Sequence, residues 1–152
     1  MNCQKITRED ILSLLRTALN NPDAQFRDGQ YEAIEAIFKN REKLLVVQST
    51  GWGKSIVYFL ATKILRDSGA GPTLIISPLL SLMRNQLTAA KALGMTAKTI
   101  NSSNIKEWTE VESGIRSGQV DLLMISPERL GNEDFKKNIF SAISGKIGLF
   151  AV

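Results

Sequence analysis

Short apolar runs alternate along this chain with longer segments in which apolar residues recur every three or four positions. The short runs predict β-strands at residues 44–47, 73–77, 96–100, 120–125 and 147–152. The longer segments predict helices at residues 7–19, 29–39, 56–66, 79–93, 104–115 and 134–143. This alternation indicates an α/β fold built on a parallel, doubly wound sheet, and the fully apolar strands suit a sheet covered on both faces.

Several residues mark the ends of the predicted helices. Thr7 is a predicted N-cap followed by acidic residues, and the polar stretch at residues 20–23 ends that first helix. Asn104 and Glu107 have the spacing of a capping box, which would open a helix with Trp108 on its inward face. These signals predict where the chain turns between elements.

The composition is that of one ordinary globular domain. With 152 residues, 43% of them hydrophobic, the chain can bury a core. No repeat, low-complexity tract or linker interrupts it, so one domain is predicted over residues 1–152, with a helical segment over about residues 1–40. The formal charge of +4 permits a polyanionic partner without requiring one.

The counts of cysteine and histidine exclude several kinds of structural and catalytic site. Cys3 is the single cysteine, so no disulfide framework exists, which fits a reducing compartment. The chain has no histidine, which excludes a histidine-ligated metal site or a histidine base within it. No apolar run approaches the roughly 18 to 20 residues of a membrane span, and the polar N-terminus does not resemble a signal peptide. We therefore expect a cytoplasmic domain with no membrane partner.

The apolar run at residues 44–47 leads into a glycine-bearing turn and then into a predicted helix. The turn reads Gln-Ser-Thr-Gly-Trp-Gly-Lys-Ser at residues 48–55, and this order of strand, loop and helix is typical of a phosphate-binding P-loop. Its two glycines can adopt positive φ and leave the loop N–H groups unobstructed, and the helix N-terminus adds partial positive charge. Lys54 would meet the β- and γ-phosphates, and the Ser55 hydroxyl would be a Mg²⁺ ligand. The alternative, a glycine-rich turn with an incidental lysine, does not account for both flanking elements.

This loop and four further motifs resemble those of RecQ-like DNA helicases of superfamily 2. Gln48 stands where many P-loops have glycine, as in superfamily 2 helicases and translocases. Phe-Arg-Asp-Gly-Gln at residues 26–30 resembles the adenine-reading Q motif, and Ser-Pro-Leu-Leu-Ser-Leu-Met-Arg-Asn-Gln at residues 77–86 resembles motif Ia. Ile-Asn-Ser-Ser at residues 100–103 is similar to a short loop of the family, and Ile-Ser-Pro-Glu-Arg-Leu at residues 125–130 resembles the element before motif II.

The resemblance implies the first RecA-like domain of an ATP-dependent DNA helicase. Such an enzyme translocates on single-stranded DNA and unwinds duplex DNA in repair and recombination, so the implied ligands are ATP, Mg²⁺ and single-stranded or partly duplex DNA. The implied cofactor-binding residues are Arg27, Gln30, Ser49, Thr50, Gly51, Trp52, Gly53, Lys54 and Ser55, with Ser55 also holding Mg²⁺. The implied nucleic-acid contacts are Ser77, Pro78, Arg84, Asn101, Ser102, Ser126 and Arg129.

The implied contacts have chemical reasons, and each also has a simpler alternative. The amide of Gln30 matches the donor and acceptor of adenine, and Arg27 can lie against the purine; otherwise Gln30 is a solvated residue in the first turn of a helix. Ser77 and Ser126 would seat phosphate beside helix-opening N–H groups, or simply cap those helices. For Trp52, packing is favoured over base stacking.

The sequence departs from the family pattern in two ways. Asp23 stands where RecQ-like proteins usually carry an aromatic residue that stacks on adenine. Residues 149–152 form an apolar run of the kind that leads into the Asp-Glu-Ala-His box, motif II, but the 152 residues contain neither that box nor the second RecA-like domain. In this family the Asp holds Mg²⁺ and the Glu activates water. We therefore expect a chain cut before motif II, with no catalytic residue and no turnover of ATP as it stands.

The sequence alone leaves two other functions open. The first is another superfamily 2 protein, such as an RNA helicase or a restriction-type translocase. RNA helicases usually show a Pro-Thr-Arg-Glu-Leu type of motif Ia, which differs from the Ser-Pro-Leu-Leu-Ser-Leu found here. The second is a non-catalytic module that binds nucleotide or nucleic acid without turnover.

Overall fold

A parallel sheet of four strands forms the centre of the fold, in the order β2-β3-β1-β4. The structure is a computed structural model that describes residues 6–40, 43–78, 87–101, 104 and 107–152. The strands are β1 at Thr73–Ile76, β2 at Ala97–Ile100, β3 at Leu122–Ile125 and β4 at Leu149–Ala151. Because all the pairings are parallel, the carboxyl ends of the strands share one edge of the sheet, as the sequence predicted.

Helices and helical turns connect the strands. The α-helices are α1 at Arg8–Leu19, α2 at Gln30–Glu35, α3 at Lys54–Asp67, α4 at Trp108–Arg116 and α5 at Ser141–Ile143. Wider π-helical turns follow α2 at Ala36–Asn40 and precede α5 at Phe135–Phe140, and a 3₁₀ turn covers Pro127–Gly131. Residues 87–92 are helical, and the rest of the helix predicted at residues 79–93 lies largely outside the described residues. Within the described ranges, no helix has both the length and the hydrophobicity needed to cross a bilayer.

Alternate strand residues divide the core into two layers, one on each face of the sheet. Ile75 and Met124 point to the face that is covered by α1, α2 and α3. Leu74 and Leu123, their neighbours in sequence, point to the face that is covered by α4 and the segment around Phe135. Both faces of the sheet are therefore buried, which explains why its central strands read as continuous apolar runs.

The helix-cap predictions have mixed outcomes. Thr7 and Asp10 form the predicted start of α1 as a reciprocal capping box, and Asn20 ends the helix in a left-handed conformation. The capping box predicted at Asn104 is wrong, because Glu107 occupies the N-cap of α4 without a side-chain cap bond. The Asn104 side chain instead holds the exit of β2: its Nδ2 donates to the carbonyl of Thr99 over 2.6 Å, and its Oδ1 accepts from the N–H of residue 101 over 2.9 Å.

The strand predicted at residues 44–47 is wrong. This segment has no strand pairing, and Leu45 and Val47 are 86% and 80% exposed. Within the described residues, β4 is hydrogen-bonded to β1 alone and forms an edge of the sheet. An apolar run forms a strand only where a neighbouring edge completes its backbone hydrogen bonds, and residues 44–47 do not lie on that edge. Phe150 of β4 is correspondingly half exposed.

Candidate functional site

The glycine-bearing loop has the backbone conformation that the sequence predicted. Gly51 and Gly53 have φ angles of 84° and 95°, in the left-handed region that favours glycine. Gly53 is the N-cap of α3, so Lys54 and Ser55 stand in the first turn of a helix of 14 residues. The loop therefore ends at a helix N-terminus, where unpaired N–H groups and the helix dipole attract anions.

Lys54 lies across the start of the loop. Its ammonium donates to the carbonyl oxygens of Gln48 and Ser49 over 2.8 and 3.1 Å. The turn is closed by the N–H of Trp52, which donates to the same Ser49 carbonyl over 3.3 Å. Ser49 and Thr50 are exposed. Phosphate oxygens are stronger acceptors for an ammonium group than neutral carbonyls are, so an anion at this loop can draw Lys54 away from them.

The Ser55 hydroxyl has a partner that the sequence analysis missed. It hydrogen-bonds the phenol of Tyr58, one turn further along α3. Burial raises the pKa of Tyr58, and the hydrogen bond from Ser55 opposes that rise. The spacing of three residues on a helix is the signal that could have revealed this pair. The hydroxyl that was predicted to hold Mg²⁺ therefore lies close to the Tyr58 phenol.

The turn at residues 26–30 is joined to the loop. Gln30 is only 3% exposed, so the alternative that it is a solvated surface residue is wrong. Its Oε1 accepts from the N–H of Arg27 over 2.9 Å, and its Nε2 donates to the carbonyl of Trp52 over 2.8 Å. The Arg27 guanidinium donates to the carbonyl of Gly51. A contact of either side chain with adenine stays a prediction, and Asp23 nearby is exposed.

An open cavity of about 430 Å³ lies beside this turn, between α2 and the segment that precedes the loop. Apolar residues supply most of its wall, with polar groups from Glu32 and Gln48. Its lining residues are Gly29, Glu32, Ala33, Leu44, Leu45, Val46, Val47, Gln48 and Trp52. Residues 44–47, which lie off the sheet, form one side of this cavity.

The predicted nucleic-acid residues collect at the carboxyl edge of the sheet. Ser77, Asn101 and Ser126 directly follow β1, β2 and β3, and backbone bonds continue the ladder there. The N–H of Ser77 donates to the carbonyl of Ile125 over 3.0 Å. Pro78 is exposed beside Ser77. Arg84 and Ser102 lie outside the described residues.

The side chain of Ser126 is buried, so it is not available at the surface for a nucleic-acid contact. It is 1% exposed, and its hydroxyl donates to the Glu128 carboxylate over 2.5 Å. This hydrogen bond is the main reason why the pKa of Glu128 lies below its usual value, with a smaller lowering from the residue's own backbone N–H. The Ser126 side chain therefore shapes the turn that carries Glu128, while its N–H donates to the carbonyl of Ile100 over 3.3 Å.

Arg129 and Trp108 lie next to each other at the carboxyl edge of the sheet, and each has an N–H group without a hydrogen-bond acceptor among the described residues. The guanidinium carbon of Arg129 lies 6.0 Å from the centre of the Trp108 ring. Arg129 Nε and Trp108 Nε1 are buried and have no acceptor among the described residues. A buried donor without an acceptor costs free energy, and these two atoms are shielded from solvent.

A loop with two positive-φ glycines that leads into a helix beginning Lys-Ser, and that is hydrogen-bonded to the turn at residues 26–30, is the arrangement of a P-loop nucleotide-binding domain. The chain belongs to the DEAD/DEAH box helicase family, whose sequence profile matches residues 27–147.

Curated relatives that the chain resembles are RecQ-type DNA helicases, which confirms the RecQ-like resemblance seen in the motifs. "ATP-dependent DNA helicase RecQ" of Bacillus subtilis (strain 168) is 38% identical over 112 residues, which are 73% of this chain and 18% of that relative. The protein of the same name from Haemophilus influenzae is 37% identical over 131 residues, 86% of this chain and 20% of the relative. "ATP-dependent DNA helicase Q1" of Mus musculus is 37% identical over 109 residues, 70% of this chain and 16% of the relative. The chain therefore spans about a fifth or less of the length of these relatives.

Proposed function

We propose that this chain is the ATP-binding part of an ATP-dependent DNA helicase. The observation that carries the proposal is the loop at residues 48–55, in which two glycines with positive φ lead directly into the N-terminus of α3 with Lys54 and Ser55 in its first turn. This arrangement gathers backbone donors, a positive charge and a helix dipole at one place, and a triphosphate uses all three.

The residues of the loop fit ATP together with Mg²⁺. Lys54 would exchange its two carbonyl acceptors for phosphate oxygens, and Ser55 would supply an oxygen ligand to the metal ion. Within the described part of the chain, no three acidic or cysteine side chains cluster as metal ligands. Mg²⁺ commonly takes few protein ligands and completes its shell with phosphate oxygens and water, which suits a site with Ser55.

The carboxyl edge of the sheet is the proposed contact with DNA. Ser77, Pro78 and Asn101 stand at strand exits, and Arg129 is a partly exposed cation beside them. Its guanidinium would donate to phosphate oxygens of a single strand without reading sequence. The buried Ser126 would contribute through its backbone and through the position of Glu128.

Calorimetry with ATP and Mg²⁺ tests the nucleotide proposal. Lys54→Ala should weaken binding several-fold or more, because the proposal assigns Lys54 to the β- and γ-phosphates. Residual affinity should persist, since the loop N–H groups donate without it. Lys63→Ala is the matched control, because Lys63 lies on the same helix and pairs with Asp67 instead. Equal affinity of the Lys54→Ala chain and the parent chain would refute the P-loop assignment.

Fluorescence anisotropy with a labelled single strand tests the DNA proposal. Arg129→Gln should weaken binding and reduce its dependence on salt, because one phosphate contact is lost. Arg116→Gln is the control, since Arg116 is exposed and paired with Glu112 on α4. If both variants bind DNA with the affinity of the parent chain, Arg129 is a packing residue and the proposed edge is incorrect.

A further inference from the structure

The turn at residues 26–30 and the tip of the phosphate loop form one hydrogen-bonded unit. Arg27 donates to the carbonyl of Gly51, and Gln30 donates to the carbonyl of Trp52 over 2.8 Å. In the opposite direction, the indole Nε1 of Trp52 donates to the carbonyl of Asp28 over 3.2 Å. These three hydrogen bonds cross between segments more than 20 residues apart in sequence.

Trp52 is held at both its backbone and its side chain. Its carbonyl accepts from Gln30, its indole donates to the turn, and its ring carbon Cζ2 lies 3.9 Å from the position that a Cβ on Gly29 would occupy. The neighbouring Thr50 and Gly51 are exposed. Without Trp52, the tip of the loop would keep the contacts of Arg27 and lose its own side-chain anchor.

We propose that Trp52 is a positioning residue that locks the phosphate loop to the turn at residues 26–30 before nucleotide arrives. The inference rests on the proposed function, because it assigns the lock to the ATP site. A loop with two glycines loses much backbone entropy when it is ordered around phosphates. A lock formed in the free protein removes part of that loss from the binding step, which strengthens binding without any contact between Trp52 and the nucleotide.

The lock also changes the role of Gln30. Its amide has two N–H groups and two acceptor lone pairs, and the bonds to Arg27 and Trp52 use one of each. Gln30 therefore acts on the phosphate loop in this structure, whatever it also offers to a base. A displacement of the turn would be passed directly to the loop through Trp52.

A first experiment tests the lock without nucleotide. The chain has two tryptophans, Trp52 and Trp108, so ¹⁵N NMR resolves two indole N–H signals, which a Trp52→Phe variant assigns. The Trp52 indole should exchange with solvent several-fold faster in Gln30→Ala than in the parent chain, while the Trp108 signal stays unchanged. Equal exchange rates of Trp52 in both chains would overturn the lock.

A second experiment tests its effect on binding. Trp52→Phe keeps an aromatic ring and removes the indole donor, so calorimetry should show ATP and inorganic tripolyphosphate both bound more weakly, by roughly 2- to 10-fold. Phe140→Leu, a change at an exposed ring on the opposite face of the sheet, should bind as the parent chain does. A thermal melt of each variant checks that the fold is retained.

The outcomes separate this inference from the function on which it rests. If the parent chain binds ATP, Lys54→Ala binds it weakly and Trp52→Phe binds it like the parent, the positioning role is refuted and the proposed function stands. If the parent chain and Lys54→Ala show the same lack of binding, the proposed function fails and the positioning role fails with it. Weaker binding of both ligands by Trp52→Phe, with an unchanged fold, supports the inference.

Discussion

The guanidinium of Arg66 at the end of α3 and the carboxylate of Asp121 before β3 form an ion pair with a 2.7 Å separation between Nε and Oδ1. Arg66 also donates to the carbonyls of Ala70 and Gly118, and the second carboxylate oxygen accepts from the N–H of Thr96 over 2.8 Å. All these groups precede strands. The ion pair therefore connects the segments that precede β1, β2 and β3, at the end of the sheet opposite the strand exits.

Replacing Asp121 should destabilise the fold without touching the loop. Asp121→Ala should lower the free energy of unfolding by about 2 kcal/mol, because charge-assisted hydrogen bonds to a largely buried arginine are lost. Arg66→Lys should have an intermediate effect, since an ammonium cannot reproduce the planar fork. Urea denaturation measures both. The exposed pair of Arg116 and Glu112 is the comparison, and Arg116→Ala should change stability by less than about 0.5 kcal/mol.

The two loop glycines should differ in their tolerance of alanine. Both have positive φ, so either change strains the backbone. A Cβ on Gly53 would also lie 2.7 Å from Nε2 of Gln30, whereas a Cβ on Gly51 meets nothing within 4 Å. Gly53→Ala should therefore weaken ATP binding more than Gly51→Ala in calorimetry. Adding Gln30→Ala should narrow that difference, and a difference unaffected by Gln30→Ala would show that the clash is not its cause.

Glu128 should contribute to stability in a pH-dependent way. The hydrogen bond from Ser126 lowers the pKa of Glu128 in the folded chain below the unfolded value of 4.5. A carboxyl with a lowered pKa stabilises the fold above its unfolded pKa, and this contribution is lost as the pH falls through the folded pKa. The melting temperatures of the parent chain and Glu128→Gln should thus differ at neutral pH and converge at acidic pH. An NMR titration should show the pKa of Glu128 rising in Ser126→Ala; an unchanged value would contradict this assignment of cause.

The 152 residues should bind ATP without hydrolysing it. Hydrolysis requires one carboxylate to hold Mg²⁺ opposite Ser55 and another to orient water, and no Asp-Glu pair follows an apolar strand in this sequence. Glu128 is the nearest substitute, but its carboxylate is hydrogen-bonded to Ser126 at the exit of β3. Phosphate release should stay at background with or without single-stranded DNA. A DNA-stimulated rate that disappears in Lys54→Ala would contradict this expectation.

Local signals in the sequence predicted an element correctly where its formation depends on residues that are close together in the sequence. The buried runs of β1 and β3 and the Thr7 cap of α1 depend on their own residues and immediate neighbours. The glycine conformations at residues 51 and 53 follow similarly from the loop pattern. Periodicity and cap chemistry are therefore sufficient for these features.

The errors arise where a residue depends on a distant partner. Residues 44–47 have strand propensity, but a strand also needs a free edge beside it, which a linear pattern does not specify. Asn104 has the spacing of a cap and instead satisfies the backbone of Thr99. The contact between Gln30 and Trp52 joins positions 22 residues apart, and no periodicity encodes it.

The edge strand β4 has a consequence for the behaviour of the protein in concentrated solution. Its outer backbone groups are not part of a ladder among the described residues, while Phe150 exposes apolar surface on the strand itself. An unprotected edge of this kind is a template on which strands of other molecules can add, and apolar side chains stabilise the first encounter. Self-association should therefore increase steeply with protein concentration, and a charged residue at position 150 should delay precipitation.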